Sequence, residues 1–273
     1  ALERVLELVE THGDRSAIGP RILDARVAAR INLAHVMIML GFPEKALACQ
    51  REAGDRARTI GDAPSLGYFL GQTSLFFQHA DDPQANAKHL DGAIAFLREQ
   101  GLTPWHGCCL VQRGFLTVLE AHRDAGLEEM RSGLRMWQGE HTRVIVPLHL
   151  IQFARAHAAL GEWDTALGYL TEAKTLIDET GERVSLSEAH RLRASLLLSN
   201  DRAAFAEAEV GLQSAIDVAR RQNARRPELR ASHDLARLWA ERGERQQAPD
   251  LLVPVYDWFT EGFDTPDLVE AKA

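Results

Sequence analysis

The 273-residue chain carries 31 Lys and Arg against 39 Asp and Glu, a formal charge of −8, with 45% apolar and 26% charged residues. That balance belongs to a globular chain, not a disordered or fibrous one, and a pI near 5.8 does not suit a general nucleic-acid binder, which needs a basic face to neutralise phosphates. No stretch reaches the ~18–20 uninterrupted apolar residues of a membrane span, and the three cysteines, Cys49, Cys108 and Cys109, make no disulfide framework and suit a reducing, cytoplasmic compartment.

Residues 1–20 read as the end of a repeat whose first helix is missing, and no basic-then-apolar leader follows Ala1. A start without Met, already inside a helical pattern, points to a piece of something longer. Beyond it, small residues recur inside apolar helical segments at Ala34, Ser74, Gly114, Ala154, Ala194 and Ala236, in steps of 40 and once 42. A second series follows at Ala46, Asn86, Gly126, Ala166, Ala208 and Ala248. Its members continue along one helix face at +4 and +7, as in Ala166/Leu170/Ala173, Ala208/Leu212/Ala215 and, more weakly, Gly126/Met130/Gly133. A small side chain at such a point lets a neighbouring helix approach closely. Two phased series of this length mark internal repeats.

The repeats fall at 21–62, 63–102, 103–140, 141–181, 182–224 and 225–262, each two helices and a turn. Turns inside repeats are expected at Gly41-Phe42-Pro43, Asp81-Asp82-Pro83, Asp124-Ala125-Gly126 and Arg242-Gly243-Glu244. In the fourth repeat Gly161 ends a helix running from Pro147 to Leu160, and Asp164 is the expected cap of a second from Thr165 to Thr180. Breaks between repeats fall at Gly61-Asp62-Ala63-Pro64, Gly101-Leu102-Thr103-Pro104, Gly139-Glu140 and Gly181-Glu182, and the fifth repeat's two extra residues sit near 199–202. Thr265-Pro266-Asp267 starts a capping helix over 263–273, with Thr265 as N-cap. No segment sustains the period-2 alternation of a strand. The expected fold is all-α: an α-solenoid of about six helix-turn-helix repeats with a C-terminal capping helix, in a single domain.

The pattern Leu160-Gly161-x-Trp163-x-x-Ala166-x-x-x-Leu170-x-x-Ala173 resembles the tetratricopeptide repeat, stretched from ~34 to ~40 residues. The string Pro254–Leu268, with Glu188–Arg193 and Leu235–Trp239, is similar to the C-terminal region of bacterial multidomain signalling ATPases of the AAA or STAND type. The resemblance is strong after about residue 150 and looser before it. It implies a helical sensor or scaffold arm of a signal-transduction ATPase or transcriptional regulator. Its intramolecular partners would be the ATPase core and an adenylate/guanylate cyclase or winged-helix output domain, none of them in these residues.

No phosphate-binding Gly-x-x-x-x-Gly-Lys-Ser/Thr loop, His-Glu-x-x-His or Cys-x-x-Cys occurs, so no cofactor, no metal and no enzyme activity of its own is expected. In His106-Gly107-Cys108-Cys109-Leu110-Val111-Gln112-Arg113, four residues separate Cys108 from Arg113 where a cysteine-phosphatase loop needs five, and the segment continues a helix. Cys108 and Cys109 therefore read as buried helix-face thiols. His149 and His157 share a face ~12 Å apart, too far for one ion, while His79 and His89 form the other conceivable pair. Trp105, Trp137, Trp163, Trp239 and Trp258 read as packing between helices.

The expected functional surface is the groove lined by the first helix of each pair. Counting from the small residue, repeat one contributes Ala28, Ile31, His35, Ile38 and Met39, and repeat two Tyr68, Gly71, Leu75, Gln78 and His79. Repeat four contributes Leu148, Ile151 and Arg155, and repeats five and six Glu188, Arg191, Ser195, Arg230, His233 and Arg237. The four arginines suit an acidic peptide or small anion; the competing reading pairs Arg191, Arg230 and Arg237 with Glu188, Asp234 and Glu241. The expected function is protein or peptide binding in this groove, without catalysis, nucleic acid or membrane. Two alternatives stand beside it: a small-molecule sensor built on His35, Tyr68, His79 and the arginines, and a scaffold that forms homodimers through the N-terminal edge.

Overall fold

A computed structural model describes residues 23–139, 143–201 and 203–272. The expected half-repeat at 1–20, Glu140 of the third break, Arg202 of the fifth-repeat turn and the last residue lie outside the described residues. Among those described there is helix and turn but no strand.

The described residues form two compact units, one of 23–38 and 43–139, the other of 39–42 and 143–272. Residues 39–42 of the first repeat apart, the division falls at the junction between the third and fourth repeats. The first unit is built on α1 (Ala25–Leu40), α2 (Pro43–Ile60), α3 (Ala63–Ala80), α4 (Pro83–Glu99), α5 (Thr103–Leu119) and α6 (Arg123–Gln138). The second holds α7 (Val146–Ala159), α8 (Trp163–Thr180), α9 (Leu186–Asn200), α10 (Phe205–Arg221), α11 (Arg225–Glu241), α12 (Ala248–Tyr256) and α13 (Pro266–Lys272). In the first unit α2 to α6 each pack against the next, and α3 also touches α5; in the second, α7 touches α9 and α9 touches α11. Within each unit, first helices of successive repeats thus meet one another, and the side chains between them form a common face.

The small-residue series marks where these helices cross. Ala34, Ser74, Gly114, Ala154, Ala194 and Ala236 are all buried, as is every member of the second series except Ala248. The closest crossing joins α5 and α6. A Cβ placed on Gly114 would lie 2.6 Å from the carbonyl oxygen of Gly126, and one on Gly126 would lie 2.6 Å from that of Gly114. Gly107 and Gly133 face each other in the same way one turn pair along, at 2.5 and 2.4 Å. Backbone meets backbone there because neither helix carries a side chain.

Helix ends follow local chemistry. Gly161, at φ +75°, closes α7 with its N–H on the Ala158 carbonyl at 3.0 Å and the Glu162 N–H on the His157 carbonyl at 2.9 Å, the paired bonds of a left-handed C-terminal stop. Asp62 caps α3, its carboxylate accepting from the Ser65 N–H at 2.8 Å. Asp62→Ala is expected to lower stability by ~1 kcal/mol, read from the urea midpoint; an unchanged midpoint would mean that water satisfies the end as well.

Two local expectations are corrected. Asp164 does not cap α8, which begins at Trp163 after Glu162, so the acid lies in the first turn, where it faces the positive end of the helix dipole. The turn placed at Asp124-Ala125-Gly126 lies earlier, at Glu120-Ala121-His122, with Ala121 at φ +67°; Gly126 is held inside α6 by its crossing with Gly114. Thr265 stands at the N-cap position of α13, its carbonyl accepting from the Val269 N–H at 3.0 Å, while its hydroxyl donates to the Gly262 carbonyl at 2.7 Å.

Candidate functional site

In the first unit the common face of α1, α3 and α5 carries a chain of polar contacts. Asn32 Nδ2 donates to the Tyr68 hydroxyl at 2.9 Å, His35 Nδ1 lies 3.1 Å from His79 Nδ1, and Gln112 Nε2 donates to Gln78 Oε1 at 2.7 Å. Four of the expected groove residues, His35, Tyr68, Gln78 and His79, thus join successive first helices. Two facing imidazole nitrogens share one proton, one donating and the other accepting. Burial pushes His35 down to about 4, against a weaker upward pull from hydrogen bonding with Gln72. The His35 ring is therefore neutral near pH 7. His79 does not pair with His89: the Nε2 of His89 lies 2.8 Å from the Leu70 carbonyl, and burial lowers its pKa as well.

Part of the expected groove lining belongs to the core. Ile31, Ile38, Leu75, Leu148 and Ile151 are buried, and a Cβ on Gly71 would sit 2.3 Å from the Trp105 ring. These positions face the adjoining helix because the helices are packed closely enough to cover them. Trp105 stacks edge-on with both Tyr68 and Trp137, centroids 5.1 and 5.2 Å apart, a packing role as expected. Cys108 and Cys109 are buried, and burial pushes the Cys109 thiol up to about 12. Both stay thiols, poor nucleophiles by construction.

The second unit concentrates charge. Arg191 grips Glu188 with Nε and Nη2, at 2.9 and 2.8 Å, and reaches across to Asp234 with Nη1 at 2.7 Å. Arg230 lies 4.0 Å from Glu188 and 3.5 Å from Asp267, which Arg226 holds at 2.6 Å. Burial alone would raise Glu188; the charges of Arg191, Arg230 and Arg155 outweigh it and hold the carboxyl well below its usual range. Burial likewise opposes charge on Arg191, but Glu188 and Asp234 hold its guanidinium firmly protonated. Arg155, Glu188, Arg191 and Arg230 are therefore brought together, and α9 is tied to α11 and α11 to α13.

Arg191 and Arg230 thus make the internal pairs of the competing reading, with Asp267 an added partner, whereas Arg237 is exposed beside a small cavity. His233 is half-buried and outside the ion-pair cluster. Among the described residues no group of three or more His, Cys, Asp or Glu is placed to hold a metal ion, and no helix is long and apolar enough to cross a membrane.

Sequence reasoning passed over Asn32, Gln72, Gln112 and Gln152, although a signal was present. Each stands two residues before a member of the first small-residue series, so an amide recurs every 40 residues through four repeats. Gln72, Gln112 and Gln152 are buried on the first-helix face, where an amide persists only with hydrogen-bond partners. Asp267 had no such signal, since it comes from the capping helix.

Solved structures share this fold. The STAND ATPase of Pyrococcus horikoshii with a tetratricopeptide repeat sensor matches 94% of this chain with 40% of its own, at 13% identity and a TM-score of 0.50. Aspartyl phosphate phosphatase F of Bacillus subtilis matches 88% of this chain with 61% of its own, at 14% identity and a TM-score of 0.53. The fold is a tetratricopeptide-like α-solenoid. At these identities the likeness reaches no further than fold, and this chain spans less than half of the STAND protein. No protein-family profile and no curated protein matches the chain.

Proposed function

We propose that the chain is a non-catalytic arm of a bacterial signalling ATPase or transcriptional regulator, which binds a protein or peptide segment along its first-helix faces. The observation that carries this reading is the polar row running from one first helix to the next: Asn32–Tyr68, His35–His79 and Gln78–Gln112 in one unit, Glu188–Arg191–Asp234 in the other. Fixed side chains that both donate and accept suit a peptide backbone, and among the described residues no nucleophile, base and oxyanion-stabilising group converge beside them. The resemblance of Pro254–Leu268 to the end of signalling ATPases supports the context, and the sensor of the Pyrococcus protein has the same kind of fold. The six repeats then serve as one functional domain whose occupancy is passed to ATPase and output domains elsewhere in the protein.

The test is selection of a phage-displayed library of random twelve-residue peptides against the purified chain. Selected peptides are expected to bind with micromolar affinity and to lose at least tenfold on Arg237→Glu, an exposed position whose reversal leaves the ion-pair cluster intact. Failure to select any peptide, or binding untouched by substitutions at Arg237, His233 and His79 alike, would overturn the groove assignment.

A further inference from the structure

Between α9 and α11, Ser195, Leu198, Leu212, Asp234, Arg237, Leu238 and Glu241 surround a half-open cavity of about 80 Å³. Its floor is aliphatic. Leu212 and Leu238 are buried members of the core cluster that also holds Ala194 and Leu235, and Leu198 packs against that cluster. The floor is thus fixed by the repeat's own packing. Three leucine side chains make the space apolar at its base, which suits an aliphatic side chain over a charged one.

The mouth is polar yet balanced. Arg191 neutralises Asp234 at 2.7 Å. Arg237 and Glu241 stand one helical turn apart on α11, and both are exposed. A guanidinium that donates and a carboxylate that accepts, spaced by ~5–6 Å at their Cβ atoms, match the C=O and N–H of a peptide unit. A charged side chain of either sign entering the cavity would lose its hydration against three leucines.

We propose that this cavity is a specificity pocket for an aliphatic side chain of an extended peptide segment, with Arg237 donating to a main-chain carbonyl beside it and Glu241 accepting from a main-chain N–H. The inference rests on the peptide-binding reading and replaces the acidic ligand expected from counting arginines. Two of those arginines are committed to Glu188, Asp234 and Asp267 inside the protein, so the groove end is not the cationic surface its composition suggests.

The experiment uses the library-selected twelve-residue peptides, measured by fluorescence polarisation against the full chain. The selected peptides are expected to share Val, Ile or Leu at one position, and its replacement by Asp should weaken binding at least tenfold. Ser195→Trp, which lids the cavity from its exposed rim, should do the same while Ser195→Ala does not; circular dichroism and the melting temperature check the fold. If Ser195→Trp disturbs the fold, the pair Arg237→Ala and Glu241→Ala carries the test, each expected to cost fivefold or more. A shared acidic position, or peptides that bind equally well to all these variants while losing affinity on His79→Ala, would overturn the pocket and leave the groove reading standing. Selection of no peptide overturns both.

Discussion

Gly114→Ala and Gly133→Ala should each destabilise the first unit by about 3 kcal/mol, whereas Gly168→Ala should stabilise the second by about 0.5–1 kcal/mol. The three substitutions are chemically identical and all lie inside helices, where replacing Gly by Ala ordinarily helps by restricting the unfolded chain. What differs is the space at the Cβ. At Gly168 nothing lies within 4 Å of the added atom. At Gly133 it would meet the Gly107 carbonyl oxygen at 2.4 Å and the Val111 nitrogen at 2.8 Å, distances that only a backbone shift relieves. Because Gly107 faces Gly133 while Gly114 faces Gly126, α5 and α6 are locked at two points, and moving one crossing strains the other.

A loss of that size corresponds to roughly 10–20 °C in melting temperature for a unit of about one hundred residues. Differential scanning calorimetry of the three variants reads both signs at once. A neutral or stabilising Gly133→Ala would mean that α5 and α6 can separate at little cost and that the glycines mark something other than a backbone contact.

The periodicity that reveals the fold and the contact that makes these glycines critical are the same fact. Helix crossings demand small residues, crossings repeat with the helix pair, and so Ala34, Ser74, Gly114 and their successors are legible from spacing alone. Turns closed by glycine are legible too, because Gly161 and Gly181 adopt positive φ without strain. Ala121, Ile145 and Asn223 also adopt positive φ, where packing of the flanking helices overrides residue preference, and the turn before α6 was accordingly misplaced. The site was half-legible. First-helix positions place His35, Tyr68 and His79 side by side within the first unit and Arg191 on a first helix of the second, since period fixes direction. Spacing does not fix how deep that face lies, which is why Ile31 and Ile151 proved to be core. Nor does it show which acid neutralises which base: Arg230 meets Asp267 from a helix 37 residues on.

The second large effect is acid lability in the second unit. His149 lies fully buried on α7, and burial pushes its pKa down to about 4, against about 6.5 in an unfolded chain. Above pH 6.5 both states carry neutral imidazole and the residue contributes no pH dependence. Between pH 6.5 and 4 the unfolded chain binds a proton that the folded one refuses, so stability falls by about 1.4 kcal/mol per pH unit and levels off below pH 4. From pH 7 to 4.5 the loss is about 2.7 kcal/mol. Glu188 does not imitate it: although burial alone would raise its carboxyl, Arg191 and Arg230 hold it low, so its contribution begins to fade only below the ordinary carboxylate pKa near 4.5. His35, also near 4, acts with the same sign but in the first unit. His149→Leu, similar in volume and without a titrating group, should therefore shrink the difference in urea-unfolding free energy between pH 7 and 4.5 by 2–3 kcal/mol in the second unit's transition, whatever it does to stability at pH 7. An undiminished pH dependence in that variant would mean that His149 takes up its proton in the folded state, and that α7 admits water where it is drawn closed.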